Sequence, residues 1–255
     1  GGVDAYSKAF VLLQLPHGLL AVSIATTFVP DLARMFHRGD HQQFSRTMSS
    51  GIRLTALLTI PASCGLLVMS KPIIGLLFQH GNFSAAATEN TARALSGLAI
   101  GLAGFSIYLF VLRGFYARND TRTPFFINIG ENAINIVLAI VLVDRHGVLG
   151  LGLAFSIAYL VSALVALLVL ESTEVDIKLS ELAFNIARIS FAAGAMTCAV
   201  WFVIQYIGSD AGLGALTRVI AGTLIGVTTY VVALSALGEK TMRDYLSSKI
   251  TKSSR

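Results

Sequence analysis

Seven long apolar stretches constrain this chain more than any other feature, near residues 9–31, 52–78, 92–112, 124–143, 149–170, 183–207 and 214–237. A helix of about 20 apolar residues is long enough to cross the hydrocarbon core of a bilayer. LSGLAIGLAGFSIYLFVL and LGLGLAFSIAYLVSALVALLVL are unbroken, VLLQLPHGLLAVSIATTFV is the most polar, and the second stretch is long and interrupted by Pro61 and Pro72. Composition agrees, since 55% of the 255 residues are hydrophobic and only 13% are charged. A soluble domain carries about 25% charged residues. The segments lack the alternation of an outer-membrane barrel strand. The expected fold is therefore all-α, a polytopic membrane bundle of about seven transmembrane helices.

Cys64 and Cys198 both fall inside spans and read as small packing residues. The five histidines are scattered without ligand spacing, so neither a metal site nor a cofactor is expected. The net charge of +5 does not indicate nucleic acid here, because positive charge on a membrane protein marks its cytoplasmic side. With seven spans, one set of connectors and flanks holds 14 of the 19 basic residues, Arg34, Arg46, Arg113, Arg122 and Lys178 among them. That side, which includes the C-terminal tail, is expected to be cytoplasmic. The N-terminus then lies outside, yet GGVDAYS has no Met and no export signal. The expectation is the C-terminal part of a longer transporter-like protein.

The connector RGFYARNDTRTPF concentrates charge between two spans. Arg113, Arg118 and Arg122 suit a cytoplasmic turn, and Phe115 and Tyr116 suit headgroup depth. Asn119-Asp120 favours a turn, and Thr123-Pro124 reads as N-cap and first residue of the next helix. RMFHRGDHQQFSR mixes bases with Met35, Phe36 and Phe44 and is expected to lie on the membrane surface as a short amphipathic helix.

Within the fourth span, Asn128, Glu131, Asn132 and Asn135 share one helix face. An intramembrane carboxylate faces a cavity or a partner. Two readings stand: a stripe on a substrate or ion cavity, or polar contacts between helices. In the first span, Gln14 and Ser23 are polar, and Pro16, Ser23, Thr27 and Pro30 share a face. Pro16 and Pro30 are hinge candidates or static kinks. Gly97-xxx-Gly101 and Gly222-xxx-Gly226 permit close helix approach. Arg218 is read as reaching for the membrane surface, with phosphate binding as the second reading.

FYARNDTRTP resembles the FYA-R-x-D-T-x-TP loop of the MurJ/MviN family of lipid II flippases, in the MOP superfamily. LLQLPHGLLAVSIATTFVPDLAR and PIIGLLFQHGNF resemble two further family motifs, in the same order. The resemblance covers nearly the whole chain and corresponds to the last seven of fourteen family helices. It marks Arg113, Tyr116, Arg118, Asp120, Thr121, Thr123 and Pro124 as the loop motif. It implies a C-lobe of five helices over 1–172, two additional helices over 173–238 that form a lipid-tail groove, and a basic cytoplasmic tail over 239–255. It implies transport of lipid II, an undecaprenyl-diphosphate-linked disaccharide peptide, from the inner to the outer leaflet of the bacterial cytoplasmic membrane. The implied partners are lipid II, membrane lipids and a missing N-terminal lobe of the same protein. Where the family often carries a basic residue, five positions before the proline of the first helix, this chain has Val11; Lys8, one turn earlier, is the substitute considered. Lys8, Gln14, Ser23, Asn128, Glu131, Asn132 and Asn135 are the cavity candidates.

Other functions compete. Another lipid-sugar exporter or a drug/cation antiporter would share the architecture. A retinal pigment needs a lysine in its last span, and 214–237 has none. No HExxH or GxSxG motif supports an intramembrane enzyme. A non-transporting scaffold is the alternative from a different class.

Overall fold

A computed structural model describes residues 1–173 and 177–238. Every regular element among them is helical. The order is α1 (Gly2–Pro16), a wide-turn segment (His17–Val22) with π-type geometry, α2 (Ser23–His37), α3 (His41–Val68), α4 (Ser70–Phe78), α5 (Ala85–Ala117), α6 (Arg122–His146), α7 (Val148–Glu171), α8 (Leu179–Tyr206) and α9 (Gly212–Ala236). With α1 and α2 counted as one continuous rod, seven helices are long and apolar enough to span a membrane. The tail expected at 239–255 lies outside the described residues.

Two expectations need correction. The stretch 34–46 is not a separate surface helix: α2 runs to His37, α3 begins at His41, and only Arg38–Asp40 turn between them. Asp40 caps α3 by accepting the Gln43 amide, and Gly39 supplies the positive φ of the turn. Nor does Pro61 break the second span, which continues through it to Val68. The break comes at Met69, ahead of Pro72. Pro72 has no amide to offer the Val68 carbonyl, so the ladder fails there.

Helix α5 is the hub. In its apolar window 72% of residues are buried, against 11% in α6. It packs on α1, α2, α3, α4 and α7. Between hydrocarbon-immersed helices there is no hydrophobic driving force, so association depends on close packing and hydrogen bonds. The α5–α7 seam shows why small residues line this hub. A Cβ at Gly97 would stand 3.1 Å from the Gly152 Cα, and one at Gly101 2.5 Å from the Ser156 Cα. Ser156 Oγ donates to the Gly97 carbonyl at 2.6 Å. On the other flank Ser63 of α3 donates to the Ala99 carbonyl, and the Phe110 ring lies against Gly51.

The α8–α9 hairpin docks on α3 and α4. Gly222 and Gly226 face Met69, Val200 and Met196, so the second glycine pair also serves close packing. Tyr230 donates its hydroxyl to the Leu57 carbonyl at 2.7 Å. At the hairpin tip, Lys71 pairs with Glu89 (3.1 Å) and Asp210 (3.5 Å), and Asp210 also pairs with Arg218. Glu89, by hydrogen bond and charge, and Asp210, by charge, hold the Lys71 ammonium above the ordinary lysine range.

The seam yields the first prediction. Gly101→Val drives side-chain atoms into Ser156, and overpacking of this kind costs about 1–3 kcal/mol. Gly130→Ala, where nothing stands within 4 Å of the new methyl, leaves packing intact. Thermal unfolding in detergent should show a lower midpoint for the first variant only; equal midpoints contradict the seam.

Candidate functional site

Three groups of side chains carry the chemistry: one face of the α1–α2 rod, a stripe on α6, and the turn between α5 and α6.

The rod buries Ala9, Leu12, Leu13, Ala21, Ile24, Ala25 and Leu32. Its outward face is mixed: Gln14, Ser23, Thr26, Thr27 and Pro30 stand among exposed Val11, Leu15, Leu19 and Val22, with Gly18 open between them. Pro16 is half-buried at the point where the ladder widens into the His17–Val22 segment. A proline that removes an amide and a widened turn next to it are recognised sites of helix bending. The hydroxyls along this face bond back to the helix: Ser23 donates to the Leu19 carbonyl at 2.7 Å and Thr27 to the Ser23 carbonyl at 2.9 Å. Inward, His17 Nδ1 lies 3.0 Å from Ser106 Oγ, with its ring against Phe105. Lys8 is only partly exposed, salt-bridged to Asp4 and lying over the Phe83 ring. Val11 is 57% exposed, so the position where the family often has a base presents an apolar side chain.

The α6 stripe divides. Glu131 is 3% exposed and points into the bundle. Its neighbours are Tyr108 of α5, Tyr159 of α7 and Asn135 one turn along. Tyr108 donates its hydroxyl to Asn128 Oδ1 at 2.8 Å, and the two tyrosine rings meet edge to face. Glu131 Oε1 is buried with no hydrogen-bond partner among the described residues. Asn132 faces outward, its amide donating to the Asn128 carbonyl. The stripe therefore combines an inward carboxyl–tyrosine–asparagine cluster with one outward amide.

The α5–α6 turn is a compact piece of backbone chemistry. Asp120 N donates to the Phe115 carbonyl and Asn119 N to the Tyr116 carbonyl, both at 3.0 Å. Asn119 takes a left-handed conformation, φ 60°. This is a Schellman ending with asparagine where glycine is commonest. Asp120 Oδ1 then accepts the amides of Arg122 and Thr123, both at 3.0 Å. Pro124 has no amide, and Phe125 N reaches the Thr121 carbonyl. All first-turn donors of α6 are thus accounted for. This corrects the expected cap by two positions: α6 begins at Arg122 and Pro124 is its third residue. Asp120, not Thr123, supplies the capping oxygen.

Arg118 reaches across the same end of the bundle. Its Nη1 donates to Thr173 Oγ1 at 2.6 Å and its guanidinium lies over the Phe36 ring. Burial by itself would raise the Asp120 carboxyl; the Thr123 and Arg122 hydrogen bonds and the Arg118 charge outweigh it and hold the group below the ordinary carboxylate range. Arg113 and Tyr116 are exposed beside this turn, as are Thr121 and Arg122. Arg218 donates to the carbonyls of Ile207 (2.7 Å) and Gly208 (3.2 Å) and pairs with Asp210, so it fastens the α8–α9 turn.

Residues 1–222 match the family model described as "Lipid II flippase MurJ". The chain is 30% identical over 234 residues to a probable lipid II flippase MurJ of Rhizobium meliloti, covering 92% of this chain and 44% of the relative. It is 30% identical over 230 residues to one of Vibrio cholerae, covering 89% and 44%. A solved structure of a lipid II flippase MurJ in an inward closed conformation superposes with a TM-score of 0.79 at 26% identity, covering 95% of this chain and 48% of that one. The chain spans about half the length of the curated relatives it matches.

The turn gives a pH-dependent prediction. Because folding lowers the Asp120 pKa, its stabilisation is present above the unfolded-state value of about 3.9 and disappears as pH falls through the folded value. Asp120→Ala should lose about 1 kcal/mol at neutral pH, and the difference from the unsubstituted chain should shrink on acidification below about pH 4. Chemical unfolding at two pH values checks this; a difference that grows in acid contradicts it.

Proposed function

The chain belongs to the lipid II flippase MurJ family, and on that premise we propose that it forms the C-terminal lobe and the two additional helices of a lipid II transporter. It is a multi-pass bacterial membrane protein of a transporter family. In this reading residues 1–172 are the lobe, 173–238 the added pair, and 239–255 a cytoplasmic tail. An N-terminal lobe supplies the opposing wall, and the turn at 118–121 faces the cytoplasm. The substrate moves from the inner to the outer leaflet for cell-wall synthesis.

The single observation that carries this reading is the outward face of α1–α2. Gln14, Ser23, Thr26 and Thr27 turn away from the bundle on a rod whose other side is fully packed. Ser23, Thr26 and Thr27 satisfy their hydroxyls on their own helix, but an outward glutamine amide within a span favours water or a polar surface opposite it. Asn132 is the outward polar group of α6, on a helix whose remaining exposed side is apolar. Gln14, Ser23 and Asn132 are thus proposed to meet the disaccharide-peptide headgroup, with Pro16 and the widened turn as the bending point. Lys8, already paired with Asp4, contributes at the cavity rim. Glu131, with Asn128 and Asn135, acts from inside the lobe by holding α5, α6 and α7 in register.

The test is complementation. Cells depleted of their own lipid II flippase receive this chain, the N-terminal half of a relative, or both. Growth and outer-leaflet lipid II should return only with the pair. Rescue by the chain alone, or none when both halves are inserted and a native partner half has been tried, contradicts the proposal. Within the rescuing pair, Glu131→Ala should impair transport at unchanged membrane abundance, and full growth would remove Glu131 from the cycle. Pro16→Ala should slow growth; an unchanged rate would exclude a required hinge.

A further inference from the structure

The α8–α9 hairpin meets the lobe through two kinds of contact. Along its length the contact is apolar: α8 buries Ile189, Ala192, Ala193 and Met196 in the core that Met48, Ile52 and Ala56 of α3 share. At its tip the contact is ionic. Asp210 Oδ1 pairs with Arg218 of the same hairpin, while Asp210 Oδ2 lies 3.5 Å from the Lys71 ammonium of α4. Lys71 in turn pairs with Glu89 of α5 at 3.1 Å. One ammonium thus joins α4, the hub and the hairpin. Lys71 stands in the first turn of α4, at the positive end of that helix's dipole, where a cation is disfavoured. The two carboxylates offset this, so they hold the lysine in place and its own helix does not.

We propose that Lys71 is an ionic latch: it seats the α8–α9 tip on α4, and its release lets that end of the hairpin part from the lobe while α8 stays packed on α3. The transport reading neither assigns nor requires such a device. Half-exposed ion pairs are weak and are screened by salt. Lys71 is 50% exposed and Glu89 52%, whereas Arg218 is 17% exposed and also holds the Ile207 and Gly208 carbonyls. Screening therefore opens the junction between Lys71 and Asp210 before it loosens the tip itself, which moves as one piece. Beneath the ion pair the seam is backbone contact. A Cβ at Gly75 would stand 1.8 Å from the Asp210 carbonyl oxygen, and one at Gly222 2.6 Å from Met69 Sδ. Contact of this kind is close but offers few side-chain atoms for dispersion, which leaves the ion pair to decide whether the tip is seated.

The test is thiol protection in the full chain, held in phosphatidylcholine nanodiscs after Cys64→Ala and Cys198→Ala remove the native thiols. Ala215→Cys reports on the tip, because Ala215 is fully buried on the α9 stripe that continues through Gly222 and Gly226. A water-soluble maleimide reaches it only when the tip parts, so the labelling rate follows the open fraction. Between about 0.05 M and about 1 M potassium chloride the rate should rise about threefold. Lys71→Gln should raise it by a similar factor in low salt and remove the salt response. Lys71→Arg should keep both the slow rate and the salt response. Arg145→Gln, on an exposed cation at the same end of the bundle, should change nothing. Ala9→Cys, buried in the α1–α5 cluster, should stay protected throughout. A rate at Ala215→Cys that neither salt nor Lys71→Gln alters overturns the latch. So does an equal rise in Arg145→Gln, or an equal rise at Ala9→Cys, which would mean that the whole bundle loosens. No step of this test scores transport, so failure of the flippase reading would leave its result standing.

Discussion

A helix in hydrocarbon satisfies its own amides, and burying leucine against leucine instead of lipid gains little. What holds this bundle is therefore how closely helix backbones approach, and α5 is where they do so. Gly97, Gly101 and Gly104 bring it against α7, while Gly51 and Ser63 bring α3 against its other side. The polar contacts of the core follow from that approach. Ser156 reaches the Gly97 carbonyl because no side chain stands between the backbones. Tyr108 and Tyr159 meet beside Glu131 because α7 packs on the hub and carries α6 on its other side. With the inner side of α1–α2 taken up by α5 and α3, Gln14, Ser23 and Thr27 are left on the outward side of the rod.

Much of this was legible in the sequence because membrane helices are set by local composition. The seven spans appear as apolar runs, and the α5 glycine pair is recognisable by its spacing. The failures occurred where geometry depends on a partner distant in sequence or on a shift of a few residues. Thr123-Pro124 has the appearance of a cap, yet Asp120 reaches two amides first because the Schellman ending of α5 places it there. The stretch 34–46 has the composition of a surface helix, yet Gly39 and the Asp40 cap close it into a tight turn. Arg218 gave no sign that its partners would be the carbonyls of Ile207 and Gly208, ten and eleven residues earlier. Helical periodicity places Glu131 on a face with Asn132, but only α5 and α7 determine that one turns inward and the other outward.

The candidate site is thus split by depth. Glu131, Asn128 and Tyr108 form an inner cluster that ties helices together, while Gln14, Ser23, Thr27 and Asn132 form an outer set open to whatever lies opposite. The motif loop touches neither set. Arg118 links the end of α5 to Phe36 and Thr173, and so holds together the ends of three helical segments. Its place in the family pattern has a physical basis in that clasp and in the Asp120 cap.

We propose that the outward face of α1–α2 that holds Gln14, Ser23 and Thr27 lines water, together with Asn132 of α6, while the exposed apolar sides of α6 and α9 meet lipid. Cysteine accessibility in membranes tests it directly, after Cys64→Ala and Cys198→Ala remove the native thiols. Single cysteines at Gln14, Ser23, Thr27 and Asn132 should react with a water-soluble thiol reagent when the chain is inserted beside an N-terminal half. Cysteines at Val137 and Leu224, both exposed and apolar, should stay unlabelled, and one at Arg122 in the turn should react as the positive control. Labelling at Arg122 with none at Gln14, Ser23 and Thr27 would place the polar face against lipid or protein and contradict the account.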